Sequence, residues 1–539
     1  MHPSAYSEIW DHLGLVAGRF DALGSGEVID RATQQEPEQR IVPLGNAVQA
    51  MGLHGWGGVN QRRYLVPMLL QHKPTQRLIA PGIDAPPLND DTRGRALETL
   101  HASGGTALYA LIATTAAPRL GLPPTVAHLE SPSFHVDGRD NRGEEPAEHG
   151  SHLTQGYSRD HRPALNPVMR DLIGEHQAGI PMLMKPLRGT TNDASAFGQG
   201  VTHHMTHWQP AHGVASLVAA RALDRAEHLQ QFPQTSRKWL TRVPATVTAA
   251  QDARAKADPQ AMLPLMEGDR YQLLASHYGG MAQRWGMIDS ERRRPQAQRP
   301  VDTPWLTQRT TDANAFQKLG RTACAWEAAA QQALSAFTPD LQAPSLQAVT
   351  MRPASRDATR GRPGQTTPPN PLVDHLDGAM TSSLAIRHAL VAQTSCFLRA
   401  TNDLDSPTLS PLELLEGDTG QKYAERGVRF LQEPLLLASS LSLQTPQRLM
   451  ALLMVMTVCW RGYAALESRM RTALKAYQTT FPNQKGQPVQ HPTARGVFQY
   501  FVGIPLLRMS GEGAFVLNRN DQHRPLLRRL GRRYEAFYS

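Results

Sequence analysis

The sequence predicts an α/β protein: a mixed sheet with flanking helices, interrupted by a large insertion and preceded by a helical N-terminal domain. Three observations lead there. Short apolar runs of strand type alternate with helical segments from 122 to 247. A stretch of Pro, Gly and Arg at 352–371, "RPASRDATRGRPGQTTPPNP", has almost no apolar content and reads as an exposed loop or linker. A strand, "SCFLRATN" at 395–402, then resumes the earlier pattern and leads into a long helical stretch from Pro411.

The helical N-terminal domain covers 1–120, and its clearest part is "DDTRGRALETLHASGGTALYALIATTAA" at 90–117. Asp91 or Thr92 can cap a helix that carries Ala96, Leu97 and Leu100 on one face. Gly104-Gly105 breaks it, and Thr106 starts a second apolar helix. Two short helices about a Gly turn read either as a helix-turn-helix that meets DNA or as two packed helices.

The first sheet segment covers 121–247. "TVAHLE" and "SFHVDG" read as two strands in a hairpin. "GIPMLMKPL", "SLVAARAL" and "KWLTRVPATV" follow as strands, with "DASAFGQGVTHHMTHW" and "DRAEHLQQF" as helices between them. The insertion covers 248–394, mostly helical and polar up to 350. The second sheet segment covers 395–539 and ends in a basic stretch, "RPLLRRLGRRYEAFYS" at 524–539. That stretch suits nucleic acid through its arginines and aromatics. It equally suits an amphipathic helix packed by Leu526, Leu527, Leu530 and Tyr534.

The totals agree with several domains, since 539 residues are too many for one ordinary core. A net charge of +9 favours an anionic partner, with nucleic acid the commonest for a large chain. Cys324, Cys396 and Cys459 have no paired spacing, which argues for a reducing cytoplasmic setting and against a disulfide frame or a zinc site. No basic region followed by an apolar run opens the chain, so no signal peptide is expected. "LMALLMVMTVCW" at 449–460 is too short to span a bilayer and reads as a buried core helix, so no membrane partner is expected.

Glu130 closes the apolar run "TVAHLE". An acid at the lip of a buried strand is costly unless it pairs or binds a cation. Phosphodiester chemistry supplies such a role: carboxylates converging from different elements clamp two divalent cations ~3.5–4 Å apart, and Mg²⁺ takes hard oxygen ligands. One acid belongs on a first strand, one at the end of a neighbouring strand, and one on a helix that crosses the sheet. Glu130 fits the first place. Glu425, among Gln421, Arg426 and Arg429 in "GQKYAERGVRFLQ" (420–432), fits the third. At the second place, after "SLVA", the chain reads Ala220-Arg221.

Beyond these residues, "VPLGNAVQAMGL", "DDTRGRALETL", "LESPSFHVDG", "GYSRDHRPALN", "GIPMLMKPLRGTTNDA", "SLVAARAL", "WLTRVPAT", "LRATNDLD", "GQKYAERGVRFLQEP" and "LMALLMVMTV" stand in order from about residue 41 onward. In that order and spacing the chain resembles DDE transposases of bacterial insertion sequences, the group with an RNase-H-like catalytic domain and a large insertion before the last acid. The resemblance implies an enzyme that binds the ends of its own mobile element and joins them to target DNA. It implies Mg²⁺ or Mn²⁺ as cofactor and a homo-oligomer on DNA.

Carried over by position, the match is damaged. The family's first aspartate falls on Glu130, which adds a methylene. The second falls on Ala220, and the third acid is kept as Glu425. The family's tyrosine before that glutamate falls on Asp418, and its lysine after it falls on Gln432, a position expected to meet phosphate. In "GYSRDHRPALN" the usual acid after the proline is Ala164, while Asp193 in "GTTNDA" matches. Arg162, Lys185, Arg188 and Arg242 are candidate DNA contacts on loops, although a single such residue is more often a solvated cation. Asp224, one helical turn after Ala220, is the candidate substitute acid, though it also suits the N-cap of "RAEHLQQF". The sequence therefore predicts an impaired transposase, or a DNA-binding, catalytically inactive remnant of one. His203, His204 and His207 lie at metal-binding spacings, but they lack a nearby acid or Cys and read as a solvated or packed helix.

Overall fold

In the computed structural model the described residues are 5–33, 41–57, 70–122, 126–130, 133–136, 166–187, 216–218, 229, 238–258, 260–322, 324, 326–338, 344–355, 372–382, 384–405, 409–417, 427, 445–509 and 513–539. The chain divides into two units. The first comprises 1–242, 277–283 and 401–539, and the second comprises 243–276 and 284–400.

The first unit is organised by one long helix, Pro446–Ala476. Its N-cap is Thr445, whose hydroxyl accepts from the Arg448 amide, and Pro446 occupies the first turn, where its missing N–H leaves nothing unsatisfied. The expected core segment 449–460 is only its first third. At 31 residues the whole helix is long and apolar enough to cross a membrane, but 89% of its most apolar window is buried inside the protein. Around it pack the helices Leu13–Leu23, Leu44–Gly57, Asp90–Ala102 and Gly105–Leu120. Leu15, Val48, Leu100, Ile112, Leu453 and Leu466 share one apolar core with Phe498, Leu527 and Tyr538.

The two helices predicted at 90–117 are present, with Gly104 at φ +74° turning the chain between them. The cap is two residues earlier than the nearer of the expected positions. Asn89, not Asp91 or Thr92, accepts from the Thr92 amide at 3.0 Å, and Asp90 and Asp91 fill the first turn, where their charge meets the positive helix end. A separate antiparallel sheet joins Ala5–Ile9 to Pro505–Met509, which in turn pairs with Gly513–Val516.

The mixed sheet of this unit departs from the predicted order in its pairing and in one added strand, Asn166–Glu175. "TVAHLE" and "SFHVDG" do not form a hairpin. Val126–Glu130 and Ser133–Val136 both pair antiparallel with one long strand, Asn166–Glu175. A single register runs through both, from Ala127↔Glu175 to Val136↔Asn166. The intervening Ser131-Pro132 explains the difference, since a two-residue hairpin turn needs Gly, Asn or Asp at positive φ and proline is fixed at negative φ. Asn166–Glu175 turns instead into Pro181–Leu187, its antiparallel partner on the other side. Val126–Glu130 then pairs parallel with Ser216–Val218, and that strand pairs parallel with Lys238–Arg242. Ala127, Leu129, Leu217, Trp239 and Leu240 are all buried, as parallel strands covered on both faces require.

The second unit contains more strand than the predominantly helical reading of 248–350 allowed. Leu263–Met266, Asp269–Tyr278 and Met281–Ser290 are neighbours in one sheet, with Phe397–Thr401 beside the last of them. Gly279 and Gly280, both at positive φ, form the turn between the two ten-residue strands. The helices Arg294–Gly320 and Leu384–Ser395 pack through Ala297, Val301 and Val391. Arg387 grips both oxygens of Asp302 at 2.7 and 2.8 Å. Of the stretch expected as a loop, 352–355 instead ends the strand Pro344–Ser355, which pairs with Leu372–Ser382, and 356–371 lies outside the described residues.

Candidate functional site

Glu130 is the last residue of its strand, opposite Leu172. Register fixes what stands beside it. His128 lies level with Val218, and Val218 lies level with Leu240. Because these three strands are parallel, they share one carboxyl edge. Two residues past this level come Glu130 and the exposed Arg242, on the two strands that flank Ser216–Val218. Ala220 is two residues past Val218 in sequence and lies outside the described residues.

The opposite, amino end of the outer strand is tied down. Trp239 donates its amide to Asn402 Oδ1 at 2.8 Å, and Lys238 reaches the buried Asp403 at 2.8 Å. Lys185 is half-buried on Pro181–Leu187. That strand is fixed to two helices through the carbonyl of Pro181, which accepts from Tyr109 Oη at 2.8 Å and from Arg461 at 2.7 Å. Arg461 also donates to the Ala113 carbonyl at 2.9 Å. Burial holds the Arg461 guanidinium below its ordinary pKa.

A group the sequence reading passed over lies on the same strand. His128 is 1% exposed, and its Nε2 sits 2.7 Å from Nδ1 of His176. Burial, and then the neighbouring His176, push the His128 pKa down to about 3. The adjacent Glu175 is buried too, which raises its carboxyl pKa, while the amides of Gln177 and Ala178 donate to it and partly offset the shift. Alternation along V-A-H-L-E was the available signal, because it places a polar ring within a strand whose other residues are apolar up to the closing acid.

Glu425, Gln421, Arg426, Arg429, Gln432, Asp418, Asp224, Ala164, Asp193, Arg188, Arg162, His203, His204 and His207 lie outside the described residues. Gly427, two residues after Glu425, is described. It is helical and buried, and a Cβ there would collide with the indole of Trp460 on the long helix. Among the described residues no group of three or more His, Cys, Asp or Glu could hold a metal.

Residues 5–114 match a family of proteins.

The matching family model is a domain of unknown function, DUF4277. The matched stretch runs from the strand Ala5–Ile9 into the helix Gly105–Leu120 and stops short of the mixed sheet. A search of the curated proteins returns no match. Among solved structures, the chain is similar to one from a cryo-EM study of a piggyBac transposase synaptic complex with hairpin DNA, at 8% identity and a TM-score of 0.25. The match covers 54% of this chain and 61% of that one. A likeness of that size carries no argument about function.

Proposed function

We propose that this chain is a transposase-like, DNA-binding protein on an RNase-H-like scaffold, with impaired strand cleavage. One observation carries the reading. The strand ending at Glu130 has an antiparallel neighbour on one side and two successive parallel strands on the other, and the nearer parallel strand ends two residues before Ala220. The resemblance assigns its first acid to Glu130 and its second to Ala220, two residues beyond the end of the adjacent parallel strand in sequence. The exposed Arg242 at the carboxyl edge suits a phosphate.

The donor set is one acid short for two divalent ions. Glu130 and Glu425 supply the hard carboxylate oxygens that Mg²⁺ or Mn²⁺ takes, and Ala220 supplies none. A clamp in which two ions share acids does not fit this set. The same deficit favours a second reading, a catalytically inactive remnant that occupies element ends. In either reading the partners are DNA at element ends and targets and further copies of the chain, in a cytoplasmic setting.

A supercoiled-plasmid and labelled-end cleavage assay with Mn²⁺ tests both, run on this chain beside Glu130→Asp/Ala220→Asp. Cutting by the restored variant alone supports the site and makes this chain a disarmed transposase. Cutting by both means that another acid replaces Ala220, with Asp224 the first to test. Binding without cutting by either supports the inactive DNA-binding reading.

A further inference from the structure

We propose that the helix pair His523–Leu530 and Arg532–Phe537 presents a face that binds the phosphates of duplex DNA through Arg524, Arg528, Arg532 and Arg533. The proposal rests on the DNA-binding reading above and assigns it a surface.

The face follows from amphipathic packing. His523, Leu526, Leu527 and Leu530 form the buried stripe of the first helix, and Tyr534 anchors the second. His523 Nε2 lies 2.6 Å from the Tyr500 carbonyl, and Tyr538 donates its hydroxyl to the Asp11 carbonyl at 2.6 Å. Arg524 and Arg528 stand one turn apart on the opposite, exposed stripe, and Arg532 and Arg533 are exposed on the second helix, Arg533 close enough to Asp21 to act on its carboxylate. The cations therefore sit on an anchored platform, which lowers the ordering cost of binding.

The charge there is nearly uncompensated. Residues 519–539 hold six arginines and two acids. Glu535 reaches Arg528 only at 3.8 Å, and that arginine side chain is 82% exposed, so the pair is weak. Arg524 and Arg532 make no ion pair among the described residues. Arg469, from the long helix, donates to the Leu530 carbonyl at 3.4 Å and adds a further exposed cation at the seam. A bilayer is disfavoured as partner, because the apolar stripe an interfacial helix would insert is already buried in the protein core. Duplex DNA, with a charge every ~1.7 Å of axis, matches a rigid cationic row.

The test is fluorescence anisotropy of the full chain with a labelled mixed-sequence duplex, from about 50 to 200 mM salt. The expected result for Arg524→Gln/Arg528→Gln/Arg532→Gln is weaker binding across sequences. Its slope of log affinity against log salt should be shallower by about 2–3. Arg524→Lys/Arg528→Lys/Arg532→Lys should keep the slope. Arg309→Gln/Lys318→Gln/Arg321→Gln, on a second-unit helix and its C-cap, should leave it unchanged. A wild-type slope in the first variant overturns this face and leaves the DNA-binding reading standing. Absence of duplex binding by the unaltered chain overturns both. Preference for polyglutamate over duplex makes the face one for acidic protein and overturns the proposal.

Discussion

Nε2 of His128 and Nδ1 of His176 lie 2.7 Å apart, and their ring planes are within 11° of parallel. One neutral ring donates to the other, and a proton added to His128 would be a buried charge. With a folded pKa of about 3 against an ordinary value near 6.5, the fold keeps the ring neutral. Its contribution to stability is complete above about pH 6.5 and is lost as pH falls toward 3, because the unfolded chain takes the proton the fold refuses. Two buried acids act in the opposite sense. Asp21, raised to about 6, and Glu175 favour the fold as pH falls, and a His128 variant keeps both.

Urea unfolding at pH 7 and pH 5 should therefore separate the native chain from His128→Gln. The variant's stability change between the two pH values should differ by about 2 kcal/mol in favour of acid. An identical change in both proteins would remove the assignment.

Arg461 is the next lever. Arg461→Ala removes packing at a fully buried position and takes charge-assisted donors from the carbonyls of Ala113 and Pro181, although Tyr109 still serves the latter. A stability loss of about 3–5 kcal/mol is expected from denaturant midpoints. A loss below about 1 kcal/mol, the range of ordinary surface changes, would contradict the anchoring role.

Gly427 tests the seating of the segment that carries Glu425. Gly427→Ala drives a methyl into the Trp460 indole and should lower stability by about 1–3 kcal/mol. Trp460→Phe in the same chain should recover part of that loss, a coupling readable from a double-mutant cycle. Additive losses would separate the two residues.

Thiol chemistry probes the second unit. Burial, reinforced by the Asp289 carboxylate, pushes the Cys396 pKa to about 12, and Cys459 in the first unit is raised to about 12 by burial alone. At pH 8 both should react with a disulfide reagent about a thousandfold more slowly in the fold than in denaturant. Rapid labelling of Cys396 in the native chain would rule out its contact with Asp289.

How far the sequence could be read depended on local signals. Leu449 to Trp460 is apolar on every face, so its burial was plain. Trp239-Leu240 and Phe397-Leu398 were strand-like for the same reason. Asn166–Glu175 was missed because Pro167, Arg170, Asp171 and Gly174 disrupt its apolar pattern, and its pairing with three strands is what holds it extended. Gly279-Gly280 was a hairpin signal that the surrounding polar residues obscured. At the candidate site, Glu130 was legible as an acid closing an apolar run. The alignment of Arg242 with it was not, because register between distant strands is set by tertiary pairing. The same holds for the contact of His128 with His176.

The small sheet that joins Ala5–Ile9 to Pro505–Met509 carries a consequence in time. Glu8 meets Arg508 at 2.7 Å across 500 positions of chain. At a synthesis rate of roughly 5–20 residues per second, the first strand waits roughly 25–100 s for its partner to leave the ribosome. Every strand of the second unit has emerged before that moment. The inserted unit can therefore fold while the unit that surrounds it in sequence is still incomplete, and Ala5–Ile9 spends that interval without its partner strand, open to chaperones and to neighbouring nascent chains.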